Sequence, residues 1–92
     1  MAQPSFFETL EARCTAVNSL LCVGLDPHAA DLKEQSGDAA FAFCDRIIKA
    51  TSHVAAAYKP NAAFFEALGP NGVDALHRVV SFHTHLHMLF HY

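Results

Sequence analysis

Two short apolar runs, each ended by a charged residue and a proline, constrain this chain more than any other feature. The first is Leu20, Leu21, Cys22, Val23, closed by Gly24, Leu25, Asp26 and Pro27. The second is Val54, Ala55, Ala56, Ala57, Tyr58, followed by Lys59 and Pro60. A run of this length without alternation fits a strand covered on both faces, as in parallel sheets. A proline has no amide hydrogen, so it ends a ladder. Alanine favours helix intrinsically; the second run is read as a strand because Lys59-Pro60 repeats the Asp26-Pro27 ending.

Helical patterns flank and separate the two runs. Ser5 and Glu8 form a capping box. Phe6, Phe7, Leu10, Cys14 and Val17 then fall at helical spacing and predict a helix from about Phe6 to about Val17 with one buried stripe, leaving at Asn18. Residues 28–37 read as a polar loop. Asp38 is the expected cap of a second helix, roughly Ala39 to Ser52, with Phe41, Cys44, Ile47, Ile48 and Thr51 on one face. Ala62 to Leu68 predicts a short helix stopped by Gly69-Pro70. Another opens at Asn71 or Gly72 and runs to Val79 or Val80, with Val73, Leu76, His77 and Val80 along one side. Strands alternating with helices imply parallel pairing through right-handed crossovers. Two strands do not close a sheet, so the chain reads as an incomplete α/β unit.

Composition excludes several classes. The 92 residues are 52% hydrophobic and 16% charged, which argues against disorder. So apolar a short chain is expected to expose apolar faces, because small domains bury a smaller share of their surface. The net charge is −3 and no Lys/Arg cluster occurs, so nucleic acid is not the expected partner. No apolar run approaches the roughly 20 residues of a membrane span, and the start lacks the pattern of a secretory signal. A cytoplasmic setting is expected. Cys14, Cys22 and Cys44 lack metal-type spacing and read as reduced core thiols.

Asp26 and Lys59 are the candidate functional residues. Each ends a strand, and carboxyl ends of parallel strands are where ligands bind in such architectures. Adjacent strands would set a carboxylate and an ammonium on one rim. The competing reading is two strand-end residues that merely face water.

The wording of three segments adds to this. Ser19–Pro27 (SLLCVGLDP), Phe43–Thr51 (FCDRIIKAT) and Ala57–Leu68 (AYKPNAAFFEAL) together resemble the orotidine 5′-monophosphate decarboxylase family, over about residues 6 to 80. The resemblance is to the branch whose second strand ends in Tyr-Lys-Pro before a Phe-Phe-Glu helix. It implies the first two to three β/α units of a (β/α)8 TIM barrel, working as a homodimer on a small nucleotide without metal or organic cofactor. The implied reaction removes CO2 from C6 of the orotate ring and gives UMP. Asp26 and Lys59 would hydrogen-bond the ribose hydroxyls. Lys59 would also be the catalytic first member of an alternating Lys-Asp-Lys-Asp array, and Asn61 would contact substrate near the pyrimidine.

The sequence departs from that pattern at about residue 81. The family expects a further strand ending in Asp-x-Lys-x-x-Asp, and later a phosphate-binding arginine. Residues 81–92 read SFHTHLHMLFHY instead. The division expected is therefore 1–80, barrel-like, and 81–92, a His-rich tail, and catalysis by these 92 residues alone is not expected. His83, His85 and His87 alternate, with His91 beyond; on a strand they would share one side and could hold zinc or copper. A tail with no selected site is the blander reading, and no metal site is expected. His28, His53 and His77 read as loop or helix-surface residues. Two other functions stay open: an association module built on exposed apolar faces, and another phosphosugar-binding barrel, since fold alone does not fix substrate.

Overall fold

The computed structural model describes residues 3–83, in the order helix, strand, helix, strand, helix, helix. Helix α1 spans Phe6–Val17. Its capping box is complete: the Glu8 amide donates to Ser5 Oγ (3.1 Å) and the Ser5 amide donates to Glu8 Oε1 (3.4 Å). Asn18 ends it in the left-handed region at φ 51°, where asparagine is tolerated. The expected buried stripe is not buried. No α1 residue is buried and Phe7 is 76% exposed; Phe6, Leu10 and Cys14 line an open apolar depression with Leu20–Cys22 and Ala56–Ala57 rather than packing into the core. Arg13 ties it down, donating to the carbonyls of Ser52 (2.8 Å) and Ala55 (3.3 Å).

Strand β1 is Cys22–Leu25 and strand β2 is Ala57–Pro60. They pair in parallel, with Cys22 opposite Ala57, Val23 opposite Tyr58, Gly24 opposite Lys59 and Leu25 opposite Pro60. Both begin later than the apolar runs do. The Leu21 amide turns back to Ser19 Oγ (3.0 Å), so only the Leu21 carbonyl reaches the second strand. The amides of Val54 and Ala55 both donate to the Thr51 carbonyl (2.9 Å each), which holds them in a turn. Pro60 thus sits within β2 at its end, and the Asn61 amide supplies the next rung to the Leu25 carbonyl (3.1 Å). β1 is also not covered on both faces: Cys22 and Gly24 are exposed, and only Leu25 is buried.

Helix α2, Gly37–Thr51, lies between the strands in sequence. Its cap is Ser36, whose hydroxyl accepts from the Ala39 amide (3.1 Å); Asp38 falls in the first turn, where a carboxylate favours the dipole. A 3-10 turn at Ala29–Asp31 interrupts the loop before it. Helix α3 is Ala62–Glu66, shorter than the pattern predicts, and Gly69 (φ 78°) turns the chain into helix α4, Pro70–His83. Pro70 opens α4 rather than stopping α3; a first-turn proline lacks only a hydrogen that would be unbonded anyway.

The core is a three-way contact of α2, α4 and the covered side of the sheet. Ala40, Cys44 and Ile48 of α2 meet Ala75, Leu76 and Val79 of α4, with Leu25, Tyr58 and Phe65 beside them. Burial on α4 follows 72, 75, 76, 79 and 83, so His77 is a helix-surface residue, as expected, although it does not share the buried side of Leu76. α4 also runs past residue 80. His83 is helical, not on a strand, and is 1% exposed, with Nε2 3.1 Å from Asp45 Oδ1, whose other oxygen pairs with Lys49 (2.8 Å). His85, His87 and His91 lie outside the described residues. The cysteines are all free, but only Cys44 is a core thiol; Cys14 is half-buried and Cys22 exposed.

Candidate functional site at the rim of the sheet

Side chains alternate along a strand, and here the alternation separates support from site. Tyr58 faces inward and is fully buried. Its hydroxyl bonds Thr51 Oγ1 (2.8 Å) and donates to the Ile48 carbonyl (3.3 Å), fastening β2 to the end of α2. Its neighbour Lys59 is then turned to the open face, opposite Gly24. Asp26 follows β1 by one residue and is half-buried, whereas Lys59 is exposed. A depression of about 490 Å³ is lined by Gly24, Asp26, Lys59 and Asn61, with Cys22, Pro60 and Ala62. All three residues singled out in the sequence therefore share one concavity at the carboxyl ends of adjacent parallel strands.

Gly24 has a steric part in this. A Cβ placed there would come within 3.3 Å of Asp26 Oδ2. The carboxylate therefore lies back over the glycine, towards the position across from Lys59. Among the described residues no ion pair joins Asp26 or Lys59 to another side chain. Asn61 is half committed: its side-chain oxygen accepts from the Ala63 amide (3.2 Å) as the cap of α3. Its NH2 group is the end left to meet a ligand.

Beneath the rim, burial pushes the Cys44 thiol up to about 12, with the nearby Asp26 charge adding to the effect. Cys44 is thus a neutral core residue at ordinary pH, not a nucleophile. Burial also raises the Tyr58 phenol, opposed by its Thr51 hydrogen bond and by Arg13. The arrangement offers a hydrogen-bond-accepting carboxylate and an ammonium in one depression, which suits vicinal hydroxyls near a developing negative charge. No group of three or more potential metal ligands occurs among the described residues. No helix among them is long and apolar enough to cross a membrane.

Sequence reading missed Gly24, Arg13 and a contact of the His28 ring with Phe64 (centroids 4.1 Å apart). The Gly24 signal was present: it is the site-facing position two before Asp26.

No family model matches the chain. A curated relative named orotidine 5′-phosphate decarboxylase, from Roseiflexus castenholzii, is 44% identical over 79 residues, 83% of this chain and 29% of its own length. A crystal structure from Toxoplasma gondii, described as an orotidine-monophosphate decarboxylase, superposes with a TM-score of 0.81 at 56% identity, covering 84% of this chain and 27% of that one. A structure of Leishmania donovani UMP synthase gives a TM-score of 0.73 at 47% identity, over 86% of this chain and 16% of that one. The chain spans 26 to 30% of the length of the curated relatives it matches.

Proposed function

This chain is a relative of the orotidine 5′-phosphate decarboxylases, and from that premise we propose that its residues are the opening β/α units of a (β/α)8 barrel that decarboxylates orotidine 5′-phosphate to UMP. In this reading Asp26 accepts hydrogen bonds from the ribose hydroxyls and Lys59 donates to them. The Lys59 ammonium also stands beside the reacting carbon, where loss of CO2 leaves an electron pair with little delocalisation. A cation already held in place stabilises that pair without rearranging during the reaction. Remote binding energy from ribose and phosphate holds the ring against it. Asn61 is the third contact, through its free NH2. The working form is a homodimer in the cytoplasm.

One observation carries the reading: a carboxylate and an ammonium share a single depression at the carboxyl ends of two hydrogen-bonded parallel strands. The 92 residues contain no Asp-x-Lys-x-x-Asp, so the remaining charges must come from elsewhere, and these residues alone are not proposed to turn over. The test is a chimera in which residues 3–83 replace the matching stretch of the Roseiflexus castenholzii relative. CO2 release from orotidine 5′-phosphate within about tenfold of the parent is expected, a change of about 1.4 kcal/mol in barrier. A folded chimera without activity would refute the proposal.

A second reading, an association module, is supported by the apolar surface: Leu20 is 89% exposed and Phe7 76%. Exposed contiguous apolar area marks interfaces. Sedimentation decides it, because a clean monomer at high concentration counts against association.

A further inference from the structure

We infer that His28 and Phe64 form a clasp that sets the spacing of Asp26 and Asn61 across the depression, making both aromatic residues positioning residues for the site; this rests on the nucleotide-binding reading above. The two rings are in direct contact, with centroids 4.1 Å apart and planes at 55°. Each ring is tied by a short backbone link to one of the residues in question. The His28 amide donates to the Asp26 carbonyl (2.8 Å) across Pro27, which is itself fully buried. The Phe64 amide donates to the Asn61 carbonyl (3.2 Å). Bringing the rings together therefore joins the exit of β1 to the start of α3.

Buried Leu25 and Pro27 hold the backbone on either side of Asp26, and the ring contact adds a tie from this segment to α3. Beyond Leu25 the ladder offers one rung, from the Asn61 amide to the Leu25 carbonyl. Asp26 itself lies outside the strand. The chain after it runs into an exposed loop whose own bonds, such as Gln35 to the Ala29 carbonyl (2.9 Å), are internal to the loop. Without the ring contact, the segment that follows Pro27 would lose its side-chain tie to α3, and the spacing of Asp26 and Asn61 would loosen. A ribose gripped from both sides needs them fixed together, because loose positioning gives up the benefit of preorganisation. His28 is exposed, so the core does not need its ring, which leaves the rim contact as what the imidazole does here.

The test uses the whole 92-residue chain, by amide hydrogen exchange and by titration with UMP followed at the amides of residues 26, 59 and 61. In Phe64→Ala and in His28→Ala, exchange at His28 and Asn61 should accelerate about fivefold, the scale of one lost aromatic pair. Core amides of α2 and α4 should keep their rates, and UMP affinity should fall by a similar factor. Phe64→Tyr should restore both. His28→Ala alters an exposed residue and keeps the test decisive if Phe64→Ala fails to fold. Parental exchange at His28 and Asn61 in the alanine variants overturns the clasp. So does acceleration spread equally through the core, because that is a loss of stability rather than of position. UMP failing to shift residues 26, 59 and 61 of the parental chain counts against the nucleotide reading instead, and the exchange rates then judge the clasp alone.

Discussion

Replacing Gly72 with alanine sets two effects of known size against each other. Gly72 is the third residue of α4 and is buried. Alanine in place of glycine in a helix gains up to about 1 kcal/mol, and less in a first turn. Against this, a Cβ at residue 72 would collide with the Phe65 carbonyl oxygen and come within 2.7 Å of Leu68 Cβ. Neither is the end of a flexible side chain, so α3 must move bodily away from α4. Overpacking of this kind costs about 1–3 kcal/mol. Sterics win, and Gly72→Ala should lose about 1–2 kcal/mol net. In a domain this small that lowers Tm by about 4–8 °C per kcal/mol. The assay is thermal unfolding by circular dichroism, with Gly69→Ala as a comparison. Gly69 has open space around it but φ 78°, so its cost is conformational alone, about 1–2 kcal/mol. A Gly72→Ala protein as stable as the parent would refute the close packing of α3 on α4.

Removing only the Tyr58 hydroxyl, as Tyr58→Phe, should cost about 1 kcal/mol in urea unfolding. Its partners stay satisfied, since Thr51 Oγ1 still donates to the Ile47 carbonyl and the Ile48 carbonyl still accepts from the Ser52 amide; no loss at all would contradict the link between β2 and α2. Alkaline pH should destabilise the fold through Cys44. The buried thiol ionises only near 12, against 9.0 for the free group. The folded form is thus favoured fully below pH 9, and the advantage is lost as pH rises towards 12 because only the unfolded thiol ionises. Cys44→Ala should flatten that slope between pH 9 and 10, and a thiol reagent should label exposed Cys22 well before Cys44; equal labelling rates would argue against the buried placement.

Much of the fold was legible because its signals are local. The Ser5–Glu8 capping box and Asn18 set α1 to the residue, and two apolar runs ending in charge-proline pairs located both strands and their parallel pairing. What the pattern misplaced were registers and faces that tertiary contacts decide. Thr51 captured two amides and delayed β2. α2 begins two residues earlier than expected because Ser36, not Asp38, caps it, and Gly37 at that start lies so close to the Asn71 backbone that a Cβ would collide, a contact no local rule contains. The buried stripe expected on α1 failed for a related reason: helical periodicity says which face is apolar, not whether anything covers it. At the site, Asp26 and Lys59 were readable from strand ends. The clasp was not, because His28 and Phe64 lie 36 positions apart and meet only once β1 and β2 pair. His83 was misread by the same limit, since alternating histidines look alike on a strand or a helix until Asp45 supplies the partner.

The most direct measurement is Lys59→Met in the Roseiflexus chimera, with kcat/KM for orotidine 5′-phosphate and Kd for UMP determined on the same preparation. Removing a preorganised charge aimed at the reacting carbon should lower kcat/KM by about 10²–10³-fold or more, while UMP, which has no developing charge, loses far less affinity. Equal losses in both would reduce Lys59 to a binding residue, and an unimpaired rate would contradict the placement of its ammonium beside the chemistry.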